Sequence, residues 1–454
     1  LRISHSKEVI VTSTTGLTAN AVGGTTVHSA LNLPIGRRKL TPLRGEALRI
    51  LQDKYRNIDG MIIDEFSMLR AKELSFINDR LKQIKCNNNN FGGICVLLAG
   101  DPGQLPPVAG TAVWDDASKV KGSDNKTGCL LFQNLIDVVH LDDNMRLDVS
   151  DPDAVYFDAF LRRLRNGKIT LEDYQFVSKT CCRHFMGDIE YNARGFNDSD
   201  VTKVHCTNHA CNNHNLRSLL SLRKPVLKIN ALNTGEAINS NASDLMGLYN
   251  LFYVCIGSKV MLTTNVCQQL GLSNGVVGTV VDIVFDRNDS SYVPGFLPKL
   301  IWVNLADGQY VGPSLFPNLV ERRNWVPIVP ITANNTVFRN GERVPSSRTM
   351  LPLKLCYAFT PWKIQGQTID NKLVGTLGTL EKSNGLTYVI FSRVRRFKNI
   401  AIDGGLTYSR LSNRIGSSVS FKYRVSMEKK LLQPKHLETI IKFMSINDYI
   451  PDGV

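Results

Sequence analysis

The stretch that most constrains the fold is Met61 to Leu69, MIIDEFSML, in which an apolar run meets two adjacent carboxylates and then a small hydroxyl. An apolar run that stops abruptly at acids reads as a strand buried on both faces of a parallel sheet, with Asp64 and Glu65 emerging at its carboxyl end. Open α/β sheets bind their ligands at that edge. Adjacent carboxylates there suit phosphoryl transfer from a nucleotide, one completing a magnesium shell and the next polarising the attacking water. Taken alone, the pair reads as well as a solvated turn, so its meaning rests on what surrounds it.

The surroundings repeat a strand, loop, helix pattern. Val9 to Ser13 (VIVTS) is a β-branched run that feeds a Gly/Thr-rich loop, TTGLTANAVGGTTVHSAL, containing His28. Pro42 to Tyr55 has helical spacing through Leu43, Ala47, Leu48 and Leu51, and Met68, Leu69, Leu74, Ile77, Leu81 and Ile84 mark an amphipathic helix after Glu65. Ile94 to Ala99 reads as the next buried strand, and Val138 to Leu141 as another. Together these predict an α/β chain built on doubly wound parallel sheets. Residues 154 to 182 are helical with a basic face, and from about 225 to 350 the chain turns β-rich, its short strands split by Asn-Gly, Asp-Gly and Pro signals as in a small barrel. The α/β pattern is expected to resume after Pro352.

Other segments carry residues of the right chemistry. Gly100 to Val108, GDPGQLPPV, directly follows a strand; a Gly100-Asp101 turn can present the Gln104 amide to a γ-phosphate or its attacking water, and Pro106-Pro107 stiffens the exit. Arg146 (NMRL) and Arg393 (FSRVRR) each follow an apolar segment that looks like a strand. Arginine suits the charge that develops on a transferred phosphoryl group, because its planar fork offers several donors and stays protonated. As isolated residues both would pass for surface arginines. Lys363, Gln365, Gly366, Gln367 and Thr368 (KIQGQT) form a polar loop able to touch nucleotide or nucleic-acid phosphates.

Net charge of +14 over 454 residues points to a polyanionic partner. Ten scattered cysteines fit reduced thiols of an intracellular protein rather than a disulfide framework. No stretch is long and apolar enough to span a membrane as a helix, and the first residues lack the layout of a signal peptide. His205, Cys206, His209, Cys211 and His214 offer zinc-type ligands, but no second cysteine pair stands at finger spacing.

In this order, TSTTGLTANAVGGTTVHSAL, MIIDEFSM, LLAGDPGQLPPV, DDNMRL, GSKVMLTTN with GLSNGVVGTV, YAFTPWKIQGQT and YVIFSRVR resemble the motif set of the Pif-type (petite integration frequency) DNA helicases, relatives of the RecD-like enzymes in helicase superfamily 1B. The resemblance spans nearly the whole chain. It implies two RecA-like domains with a small β-barrel inserted in the second, moving 5′ to 3′ along single-stranded DNA and opening duplex junctions at the expense of ATP with Mg2+. The expected boundaries are 1–145 for the first domain, 146–230 and 351–430 for the two parts of the second, 231–350 for the insert and 431–454 for a helical tail. By the same resemblance Asp64 is the magnesium ligand, Glu65 the general base, Gln104 the γ-phosphate sensor, and Arg146 with Arg393 the pair that closes on the nucleotide. Gly100, Asp101, Gly366 and Gln367 fall at nucleotide-contacting positions, and Thr14, Thr15, His28, Lys363 and Thr368 at DNA-contacting ones. Roles in repair, recombination, telomere or genome maintenance, or in a transposon, and a nuclear or mitochondrial location follow the same way.

Two departures stand out. No G-x-x-x-x-G-K-[ST] loop occurs in the 454 residues; in the family that loop lies upstream of the VTSTTG segment, so the chain is expected to begin just after it. Without that loop there is no backbone cradle for the β- and γ-phosphates. Trp362 also stands where the family usually has His. A second reading of the same residues is a catalytically dead remnant or scaffold that binds single-stranded DNA.

Overall fold

The computed structural model describes residues 8–34, 39–108, 110–135, 138–148, 150–198, 200–285, 297–339, 342–378, 380–414 and 419–431. Contacts divide the chain into two units, the first made of Leu1–Ile10, Pro42–Cys206 and Ile364–Val454, the second of Val11–Thr41 and Thr207–Lys363. Of the expected tail at 431–454, all but Leu431 lies outside the described residues.

The first unit holds two parallel sheets. In one, Ile58–Asp64 pairs in parallel with Cys95–Leu98, Gly60 standing opposite Cys95 and Ile63 opposite Leu98. Val9 lies against Gly60, whose missing side chain makes room for it. Ile58, Met61 and Ile63 are buried while Ile62 is half-covered, so the strand is dry on one face and only partly so on the other. Cys95–Leu98 is a strand as expected but not a buried one, for Leu97 is 50% exposed. The helix Ala71–Lys85 covers this sheet: Leu74, Ile77 and Leu81 are completely buried and Ile84 nearly so. Each such side chain contributes ~1.5–3 kcal/mol relative to an exposed one. Glu73 reaches back to accept from the Arg70 backbone N–H at 2.9 Å, satisfying a donor that the first turn would leave open.

The second parallel sheet has Leu373–Thr376 between Thr202–His205 and Ile400–Ile402. Ile400–Ile402 is apolar and buried throughout and Leu373–Thr376 is buried over its first three residues, whereas in Thr202–His205 only Val204 is buried. Helices Ala154–Arg165 and Leu386–Phe391 meet over it through Phe160 and Phe391, with ring centres 5.4 Å apart, while Phe397 stacks edge-on against Phe157 and Phe160. Two expected strands are absent. Val138 to Leu141 is irregular, with Val139 63% and Leu141 86% exposed, and the apolar segment before Arg393 is the helix Leu386–Phe391. Short apolar runs do not distinguish the two periods.

The second unit is β-rich. Its five-stranded antiparallel sheet runs in the order Trp325–Ile328, Leu300–Leu305, Val277–Val284, Lys259–Leu262, Leu353–Leu355. Antiparallel pairing therefore continues past Pro352, beyond where the α/β pattern was expected to resume. Ile331–Arg339 and Glu342–Met350 form a hairpin that also pairs with Leu232–Thr234. Between these layers Val260, Leu262, Ile301, Val303, Met350 and Leu351 make one apolar core. Arg348 is buried beside it and is held by the carbonyls of Leu248, Ser240 and Ala237 and by Asn233 Oδ1. Among the described residues no helix is long and apolar enough to cross a membrane.

Helix Ser123–Gln133 packs on Ala71–Lys85 so closely that a Cβ on Gly128 would lie 1.8 Å from the Ala71 carbonyl oxygen. Backbone cannot yield as a side chain can. Gly128→Ala is therefore expected to destabilise the first unit by ~1–3 kcal/mol, the usual cost of overpacking, seen as a lower urea midpoint by circular dichroism. An unchanged midpoint would disprove the close approach.

Candidate active site

The site forms where the two parallel strands of the first sheet end. Beyond their ladder, the Ala99 N–H donates to Ile63 O at 2.9 Å and the Phe66 N–H donates to Ala99 O at 3.0 Å. These bonds set the Asp64-Glu65 corner beside the Gly100–Gln104 loop. A Cβ on Gly100 would come within 3.0 Å of Phe66 N and 3.4 Å of Glu65 Cα, so only glycine allows the approach. Glu65 itself takes φ 54°, ψ 42°, a left-handed conformation that costs a side-chain-bearing residue on the order of 1 kcal/mol or more. Such strain is characteristic of functional corners.

Asp64 is half-buried and Glu65 is 9% exposed. Burial raises both carboxyls above their ordinary values; for Glu65 a hydrogen bond from Gln365 and attraction to Arg393 oppose that rise, while Asp64 and Asp101 add to it. Gln365 Nε2 lies 3.1 Å from Glu65 Oε2 and 2.8 Å from Ser67 Oγ.

Arg146 and Arg393 come together here. Arg393 is fully buried, donating to Val389 O (3.0 Å), Gln367 O (3.2 Å) and Ser392 Oγ (2.8 Å). Arg146 donates to Thr368 Oγ1 (3.1 Å) and Ser392 O (2.8 Å). Burial, with Arg146 close by, lowers Arg393 to about 10, which leaves it charged at neutral pH. Gly366 makes the turn of the KIQGQT segment at φ 77°. Thr368 thus stands at the arginine pair, and Gln367 meets Arg393 through its backbone carbonyl.

Asp101 Oδ1 accepts from Arg165 Nε (2.9 Å) and Nη2 (2.7 Å) and from the Gly103 N–H (2.7 Å), and Oδ2 accepts from the Tyr388 hydroxyl (3.0 Å). Burial alone would push this carboxyl up; Arg165 and the other donors outweigh it and hold Asp101 below its usual value. Arg165 also pairs with Glu428 at 2.6 Å. In the sequence Arg165 was one of several basic residues on a helix, and only its position shows that it anchors the loop carrying Gln104. Among the described residues Gln104 Oε1 and Gln365 Oε1 have no hydrogen-bond partner.

The second unit gathers other candidates. Thr15 caps helix Gly16–Ala21, accepting from the Thr18 N–H at 3.3 Å, and Thr18 Oγ1 lies 2.6 Å from Ser13 Oγ. Asn20 donates to Ser273 Oγ at 2.9 Å, a Cβ on Gly16 would lie 2.9 Å from Asn265 Oδ1, and Lys363 Nζ donates to Asn274 Oδ1 at 3.0 Å. Lys363 and the helix that Thr15 caps are thereby brought to the Asn265–Gly275 turn. Half-buried His28 lies on the short helix Val27–Ala30. In the His/Cys-rich segment His205 ends the strand Thr202–His205, and His209, Cys211 and His214 lie on helix Asn208–Ser221. No group of three or more His, Cys, Asp or Glu is placed to hold a metal among the described residues.

Arg165→Met would leave Asp101 without its counter-charge. We expect a loss of ~1.5–3 kcal/mol at neutral pH, typical of a hydrogen bond to a charged group. Because the folded carboxyl is depressed below 3.8, the contribution is present above that value and is lost as pH falls through the folded one. Urea melts at pH 7 and pH 3 check this: a loss equal at both would remove the ion pair as its source.

Residues 1–175 match the family model described as PIF1-like helicase. A curated ATP-dependent DNA helicase Pif1 from Psychrobacter sp. is 25% identical over 87% of this chain and 61% of its own length. The ATP-dependent DNA helicase PIF1 of Danio rerio is 25% identical over 87% of the chain and 54% of its own length. The chain thus spans little more than half of these relatives. A solved structure of Pif1 helicase from Bacteroides in complex with ADP-AlF3 and ssDNA superposes with a TM-score of 0.66 at 21% identity, covering 94% of this chain and 89% of that one. The Pif1 helicase from Candida albicans gives 0.64 at 23% identity, covering 93% and 88%. The chain is thus similar to PIF1-like helicases over residues 1–175, and its fold is that of the solved Pif1 helicase structures.

Proposed function

We propose that this chain carries the hydrolytic residues and the DNA track of an ATP-dependent helicase that moves 5′ to 3′ on single-stranded DNA and opens duplex junctions. The observation that carries this reading is the buried corner at which Glu65, Arg146 and Arg393 come together, with the loop that carries Gln104 starting beside it at Gly100. In this reading Glu65 takes the proton of the attacking water, a task favoured by a carboxyl raised towards neutral pH. Gln104 donates its amide N–H to the γ-phosphate, and its amide oxygen, which meets no partner among the described residues, accepts from the attacking water. Arg146 and Arg393 stabilise the charge on the transferred group. Gly100 and Asp101 shape the Gln104 loop, and Gly366 and Gln367 support Arg393. The hard oxygens of Asp64 fit magnesium, which is held by one or two carboxylates together with substrate phosphates rather than by an all-protein cage. Bound with the nucleotide, Mg2+ would neutralise phosphate charge. Thr14, Thr15, His28, Lys363 and Thr368 serve DNA contact. Named relatives that are ATP-dependent DNA helicases, and a related structure holding ssDNA, support this assignment, and a role in genome maintenance follows from it.

The test uses a chimera that joins a phosphate-binding loop segment of this family ahead of the chain. Its DNA-stimulated ATPase should fall ~10²–10⁴-fold in Glu65→Gln while nucleotide binding persists, and it should unwind a 5′-tailed fork in preference to a 3′-tailed one. Retained turnover would place the base elsewhere. A chimera that binds single-stranded DNA but never hydrolyses ATP would establish the non-catalytic reading instead.

Lys363 gives a second check. Burial, and then the neighbouring Lys354, pulls its amine down to about 8. Single-stranded DNA affinity of the chain should therefore weaken as pH rises through 8, and Lys363→Arg, which stays charged, should flatten that dependence. Lys363→Ala should lower the salt slope by about one. Identical pH and salt dependence in all three proteins would take Lys363 off the DNA track.

A further inference from the structure

The loop that carries Gln104 is held from outside. Residues 101–107 form neither helix nor strand, yet an amide that aligns a water with a phosphoryl group has to be placed to within about 0.5 Å. Asp101, at the start of the loop, lies along one edge of the Arg165 guanidinium, accepting from Nε at 2.9 Å and Nη2 at 2.7 Å. The other edge meets Glu428, Nη2 standing 2.6 Å from Oε1 and Nη1 3.3 Å from Oε2. Gly103 makes room for this crossing, because a Cβ there would lie 2.6 Å from Arg165 Nε and 2.7 Å from its Cγ. All three charged side chains are only 20 or 21% exposed, so water screens them less than it screens a surface pair.

Glu428 belongs to helix Val419–Leu431, which grips the same segment at other points. Tyr423 donates to Asp116 Oδ2 at 2.7 Å and accepts from Lys119 Nζ at 2.6 Å. Arg424 donates to the Arg165 carbonyl at 2.8 Å and pairs with Glu428 at 3.3 Å, so the helix holds Arg165 by backbone and side chain alike. Phe421 and Arg424 also line a small cavity with Gln104, Pro106 and Trp114. We propose that helix Val419–Leu431 splints the segment 101–116 and that Glu428 is a positioning residue for Gln104, acting through Arg165 and Asp101, an inference that rests on Gln104 contacting the transferred phosphate. A guanidinium bound along one edge can still tilt about it, whereas carboxylates on two edges fix its plane. Asp101 passes that constraint on: its Oδ1 accepts from the Gly103 N–H at 2.7 Å and its carbonyl from the Gln104 N–H at 3.0 Å.

Hydrogen exchange on the whole chain, without nucleotide, compares the parent with Glu428→Ala. The Gly103 and Gln104 amides should lose protection by about tenfold or more, the share of one hydrogen bond to a charged group, while those of Leu74 to Ile84 keep theirs. In an Arg165→Met background the same substitution should change the loop no further. Equal loss of protection across the first unit, or the same effect in both backgrounds, would overturn the proposal. Alanine suits a helix; should that variant not fold, Glu428→Gln, alike in shape but uncharged, gives the same comparison with a smaller loss. In the chimera described above, Glu428→Ala should lower kcat about 10- to 10²-fold at nearly constant KM for ATP, with Glu428→Gln between it and the parent. A raised KM with kcat intact would overturn the positioning role. Gln104→Ala separates the two possible failures. Full turnover in that variant removes Gln104 from the reaction and the proposal with it. Lost turnover there, beside full turnover in a Glu428→Ala chimera whose loop has loosened, removes only the positioning role.

Discussion

A buried carboxylate stays useful only where donors meet it, and the donor that meets Glu65 stands 300 residues away in the chain. Much of the first unit follows from that requirement. The strand Ile58–Asp64 delivers the acid to a sheet edge, and a left-handed corner turns it inward. Helix Leu386–Phe391 and the KIQGQT turn, supported by the second parallel sheet, bring in the amide and both arginines. Each part is ordinary α/β construction; their convergence makes the corner a site.

Charge around the corner is partitioned rather than pooled. Asp101 is satisfied by Arg165, Tyr388 and the Gly103 N–H, and Arg165 is shared with Glu428. Arg393 and Arg146 donate to backbone carbonyls and hydroxyls. Glu65 is drawn by the charge of Arg393 and accepts from the Gln365 amide. In a low-dielectric pocket such an arrangement keeps both signs available to an incoming group.

How much of this was legible depended on whether the signal was local. MIIDEFSML and GDPGQLPPV announced themselves because an apolar strand and the acid or turn ending it are contiguous. Gly100 showed as part of a motif, and its close approach to Phe66 explains why. Val138 to Leu141 misled because four residues, three of them apolar, carry no period, and LTYVIF misled for the same reason, although it is a helix. Arg165 and Gln365 were hidden differently. Nothing in LRRLRNG marks which arginine turns inward, and nothing in KIQGQT tells which glutamine meets the acid. Both are decided by partners far away in sequence. The assembly of Val11–Thr41 with Thr207–Lys363 into one unit was likewise beyond any local pattern.

The discontinuity of the first unit bears on how the protein comes into being. Its acids lie in the segment Pro42–Cys206, but Gln365 and Arg393 lie in the segment that begins at Ile364. Translation proceeds at about 5 to 20 residues per second, and domains tend to fold as they emerge. The β-rich unit is therefore synthesised in full before the ribosome supplies the residues that complete the corner. Until then Glu65 lacks its amide and Arg393, so a nascent chain cannot assemble the site prematurely. Folding also has to hold one half of a unit open while another unit forms, a demand that makes the late segment the point at which synthesis and competence meet.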